Sequence, residues 1–148
     1  MDENKILKVK ELLYNVDNDE VKRVILQTGD QEILYVYAYN YNWDNGFDIP
    51  QTVLDNEKCD LSTALLIFYR ADGLSYLQDK SDNINLPQWS IFIKKLYNSI
   101  LRGKYQRGKI EFKIPLSKVQ LYKLRKEVTV EENVFTQNID GKCLDINL

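Results

Sequence analysis

Apolar residues recur at helical spacing along most of the chain. In residues 4–15, Ile6, Val9, Leu12 and Leu13, continued by Val16, predict an amphipathic helix. Asp17 and Asn18 can cap a second helix through Val21, Val24 and Ile25 that ends near Gly29. Asp30 opens a third, with Ile33, Leu34, Tyr37, Ala38 and Tyr41 at helical intervals. Tyr35, Tyr37, Tyr39 and Tyr41 also alternate as a strand would, but the helical neighbours favour helix. Residues 42–48 read as a turn built on Asn45-Gly46 and two aspartates. A short helix is expected at 50–56. Asp60 caps a longer one over Leu61–Ala71, which Asp72-Gly73 stops. Ala64 to Phe68 is apolar on every side, which places that helix at the centre of the core.

A weak helix is expected at Leu74–Gln78. The clearest signal lies at 88–102, where Trp89, Phe92, Ile93, Leu96, Tyr97 and Ile100 form one stripe that Gly103 ends. Ile110 to Ile114 alternates and predicts one short extended segment. Ser117 caps a basic helix to about Lys126, with Val119, Leu121, Tyr122 and Leu124 inward. Residues 127–148 carry no clear period beyond a turn around Glu131–Phe135. The expectation is a single all-α domain of 148 residues with helix-turn-helix, α-solenoid-like packing and no internal repeat.

The block Asn42-Trp43-Asp44-Asn45-Gly46-Phe47-Asp48-Ile49-Pro50, continued through Cys59-Asp60-Leu61 to Tyr69 and Ala71-Asp72-Gly73, resembles a bacterial family of unknown function, DUF4274. The resemblance covers roughly residues 30–105 and leaves 106–148 as an extension. It implies a small helical bacterial protein with no established activity. Some small acidic bacterial families act as immunity proteins beside toxins, and that context supplies an analogy.

Charge divides the chain. Residues 1–74 hold 7 Lys/Arg against 14 Asp/Glu, and residues 75–148 hold 13 against 8. Within 94–126 stand 11 Lys/Arg and the single acid Glu111. This asymmetry predicts a solvated face, a contact between the two halves, or an anionic partner. Histidine is absent, which excludes Ser-His-Asp and Cys-His nucleophiles and imidazole-bound zinc. Neither a dinucleotide fingerprint nor a P-loop occurs. No cofactor, metal site or catalytic residue is therefore expected. The first residues carry charges at short intervals, so no signal peptide is expected, and no apolar run is long enough to span a bilayer. Cys59 and Cys143 read as free thiols of a cytoplasmic protein, although one disulfide between them is open to the sequence.

Two surfaces follow. Trp43, Asp44, Asn45, Phe47 and Asp48 place aromatic anchors among polar and acidic groups, as partner-binding loops do. The same pattern fits a structural lid in which Asp48 caps the next helix. Lys95, Arg102, Lys104, Arg107 and Lys109 could grip phosphates, but the sequence pI of about 5.3 disfavours nucleic acid as partner. A remote reading joins Glu111 and Lys113 to Asp79 or Asp82 as a Mg²⁺-dependent nuclease site. The reading best supported is binding to another protein, such as a cationic toxin.

Overall fold

A computed structural model describes residues 1–148. Helices α1 (Glu3–Tyr14), α2 (Asn18–Gln27) and α3 (Gln31–Asn40) follow one another with tight turns. Each opens on an aspartate whose carboxylate accepts a first-turn N–H: Asp2 from Lys5, Asp17 from Glu20, and Asp30 from Glu32 and Ile33. A 3₁₀ turn at Trp43–Asn45 leads to α4 (Asp48–Asp55) and then α5 (Leu61–Arg70). Helices α6 (Gly73–Gln78), α7 (Pro87–Leu101) and α8 (Lys118–Glu127) complete the regular structure, with a second 3₁₀ segment at Glu131–Thr136.

The helices pack in alternation. α1, α3, α5 and α7 form one row of contacts, and α2 lies against α4. This is the solenoid-like arrangement that short helix-turn-helix units produce. α6 breaks the alternation by packing on both α5 and α7. α3 and α5 thus have row neighbours on both sides, and later segments cover what remains. Leu61 N–H donates to Gln106 O at 2.8 Å, and Ser62 Oγ donates to Ile110 O at 2.7 Å, so residues 106–110 strap the start of α5. The C-terminal tail does the same for α3. Tyr35 OH donates to Asp145 Oδ1, Asn40 Nδ2 to Ile146 O, and Leu148 N–H to Asn40 Oδ1. As a result Ile33–Ala38 is buried on every side, like Leu61–Phe68. One apolar cluster runs from Val9 to Leu144.

Several expectations are corrected. α2 ends near Gly29 as expected, at Gln27, but without a left-handed Gly29. Its last carbonyls are met by the buried Asn56 side chain, whose Nδ2 donates to Ile25 O and Thr28 O at 2.8 and 2.7 Å. At the end of α5 the left-handed residue is Asp72, with φ of 61°. Gly73 is required by proximity instead, since a Cβ there would run into the Phe68 ring. Ile110, Phe112 and Ile114 are buried, as their alternation predicts. They form only isolated bridges, Ile110 with Lys142 and Phe112 with Ile139, and no sheet. In α8 the capping box of Ser117 and Gln120 forms and Leu124 is buried. Val119 and Tyr122 are exposed, not inward, and α8 packs chiefly on the 3₁₀ segment Glu131–Thr136. No helix is long and apolar enough to cross a membrane.

Candidate functional site

The loop after α3 is shaped by its own side chains. Asn42 Oδ1 accepts from Asp44 N–H at 3.1 Å, which tightens the 3₁₀ turn. Gly46 has φ of 87°, a left-handed conformation that suits glycine. Tyr41 OH donates to Gly46 O at 2.8 Å. Burial, reinforced by Asp48, pushes that hydroxyl up to about 12, so Tyr41 stays a neutral donor. The two aromatic residues of the loop turn inward. Trp43 meets Tyr41 edge to face with centroids 5.3 Å apart, and Phe47 stacks on Phe92 of α7 at 4.8 Å. They close the rim of the core as a lid.

Asp44, Asn45 and Asp48 remain exposed. Asp48 does not cap α4. It is the first helical residue, Phe47 holds the cap position, and no side chain bonds there. The carboxylate instead stands in the first turn, where the helix dipole favours an anion.

A groove of about 500 Å³ lies between this loop and α7. Asn45, Phe47, Asp48, Gln51, Ile91 and Lys95 line it. Asp48 and Lys95 both border it and make no ion pair. On its other side Phe47 walls a second groove of about 340 Å³, with Trp43, Arg70, Leu86 and Trp89. Trp89 is fixed there by its Nε1 donating to Ala71 O at 2.6 Å. Two exposed apolar residues line the grooves, Ile91 at 71% and Leu86 at 54%, and Ile84, two residues before Leu86, is 88% exposed. These three were not singled out by the sequence pattern. The available signal was Ile91, an apolar residue off the stripe of α7 and therefore facing water.

The basic residues do not gather in one place. Lys95 borders the loop groove, whereas Lys109 lines another with Lys5, Lys58 and Lys142. Arg102 Nε donates to Asn98 O, Lys104 lies 5.4 Å from the Tyr105 ring centroid, and Arg107 reaches Gln137. The two charge-divided halves meet in one ion pair, Lys142 with Glu32 at 3.1 Å, which uses no cation of 94–126, and those cations are exposed. Glu111 and Lys113 do share a side, 3.8 Å apart. No three acidic or thiol groups converge around them, and the sheet that such nuclease sites stand on is missing. Cys59 is buried and Cys143 exposed, and both are free thiols.

The family described as Domain of unknown function (DUF4274) matches residues 29–101. Residues 29–101 are a DUF4274 segment. The segment spans α3 to α7, and every residue lining the two grooves beside Phe47 lies within it. The 106–110 strap, α8 and the tail lie outside the DUF4274 segment. No curated protein and no solved structure is significantly similar to the chain.

Proposed function

We propose that this protein acts by binding another protein at the paired grooves on either side of Phe47. The observation that carries this reading is the pair of exposed apolar residues, Ile91 and Leu86, that line the two grooves sharing the Phe47 wall, all inside the DUF4274 segment. Apolar surface concentrated in this way marks interaction sites more often than scattered residues do. Asp48 and Lys95 border one groove and Asp72 and Arg70 the other, so the fitting partner presents apolar side chains flanked by charges of both signs. A toxin held inactive by an immunity protein is such a partner, and the acidic N-terminal half would steer the approach of a cationic one. The free thiols are compatible with work in a reducing cytosol.

The test is capture from the native host at low and moderate salt with the wild-type chain, Ile91→Asp, Phe47→Ala and a control, Leu7→Asp, at an exposed residue of α1 that lines neither groove. The expected result is one stoichiometric protein held by wild type and control and lost with both groove variants. Absence of a stoichiometric partner, or equal capture by Ile91→Asp, overturns the reading.

A further inference from the structure

Four lysines from four separate segments border the groove that contains Lys109. Lys5 comes from α1, Lys58 from the α4–α5 turn, Lys109 from the strap and Lys142 from the tail. The groove measures about 630 Å³ and shares no lining residue with those beside Phe47. Only two acids, Asp30 and Glu32, line it. Lys5 Nζ lies 3.0 Å from Asp30 Oδ2 and 2.8 Å from Glu32 Oε1, and Lys142 Nζ lies 3.1 Å from Glu32 Oε2. The acids are thus consumed by two of the lysines. Lys58 and Lys109 have no ion-pair partner. The lining carries two surplus positive charges in a chain whose net charge is −2. Nor are the ammonium groups indifferent to one another, since Glu32 favours the charge on Lys142 while Lys5 opposes it.

Such a groove calls for an anion. The cations are all lysines, with no planar guanidinium to grip a carboxylate in bidentate fashion. Lysine acts as a point charge that suits phosphoryl oxygens in many orientations. Two unpaired ammonium groups border one groove, and an anion with linked phosphoryl groups carries enough charge to neutralise both. We propose that this groove is a binding site for a small polyphosphate anion, with Lys58 and Lys109 as its principal contacts and Lys5 and Lys142 as the supporting charges. The ligand carries two or more linked phosphoryl groups, free or on a nucleoside.

Calorimetric titration of the full chain with inorganic pyrophosphate tests this. Saturable single-site binding is expected, weakening with added salt. Lys58→Gln/Lys109→Gln should loosen it by about tenfold or more, whereas Lys95→Gln in the other groove should leave it unchanged. Neither substituted ammonium makes a hydrogen bond or ion pair, so the double variant retains the fold, which circular dichroism checks. Titration with ATP separates the sources: affinity equal to pyrophosphate means that phosphate alone is read, and tighter binding means a nucleoside polyphosphate. No saturable heat, equal affinity for citrate, or a double variant that binds like wild type overturns the site.

Discussion

Two buried carboxylates show how surroundings decide what a residue contributes. Asp60 caps α5 by accepting from Thr63 N–H at 2.9 Å, but its Oδ2 is buried without a partner. Burial pushes its carboxyl above the ordinary value of 3.8. Ionisation is then less favourable in the fold than in the unfolded chain, so stability falls as pH rises from about 3.8 through the folded pKa. Asp60→Asn keeps a cap acceptor and should flatten that fall in thermal melts between acidic and neutral pH. Asp60→Ala should lose about 1 kcal/mol with the cap. Glu132 behaves in the opposite sense. Burial pushes it up, but Thr129 N–H, Tyr97 OH and Lys80 together outweigh this and hold it below 4.5. The stability it adds is present above 4.5 and is lost as pH falls through the folded pKa. Glu132→Gln should therefore flatten the acid limb that Asp60→Asn leaves in place. Gly73 provides a steric test. Gly73→Ala drives a methyl into the fully buried Phe68 ring and should cost roughly 1–3 kcal/mol, read from denaturant midpoints.

Among the elements, α3 shows the limits of reading a helix by its stripe. Its period names Ile33, Leu34, Tyr37 and Ala38 as inward, and all four are buried. Tyr35 and Val36 are buried as well, because the C-terminal tail covers the face that would otherwise meet water. Asn40 is the clasp, bonded to both Ile146 and Leu148. Asn40→Ala should release the tail at about 1 kcal/mol per lost bond. Hydrogen exchange should then quicken at Leu148 and its neighbours while the exchange of α5 is unchanged. If α5 exchanges faster as well, the tail belongs to the cooperative core. α8 is the converse case. Its apolar Val119 and Tyr122 stay exposed, and Lys126 Nζ of the same helix lies 4.3 Å from the Tyr122 ring centroid.

In the molecule as a whole, charge is distributed by surface and not by half. The cations of 94–126 stay largely in solvent, and the lysine groove recruits only Lys109 from that stretch. Glu32 joins two of its four lysines, so Glu32→Gln removes two ion pairs and raises the positive charge of the groove. Tighter pyrophosphate binding together with a lower melting temperature is expected. Unchanged affinity would mean that Glu32 does not compete with the ligand. The helix order was legible along the chain because caps and apolar spacing are local. Asp2, Asp17, Asp30, Asp60 and Ser117 all accept first-turn N–H groups, and the stripe of α7 buries Phe92, Ile93, Leu96 and Ile100. The loop at 42–48 was legible as a turn, but the inward placement of Trp43 and Phe47 depends on Phe92 from a distant helix.

The sequence by itself determined where most helices begin and which face of most of them is apolar, since a capping hydrogen bond is local and the 3.6-residue period sets the apolar face. Only the tertiary structure decided what covers α3 and α5, which apolar residues are left beside Phe47, and that Lys5, Lys58, Lys109 and Lys142 share a groove. Those outcomes rest on contacts between segments far apart in the chain, which no local periodicity encodes.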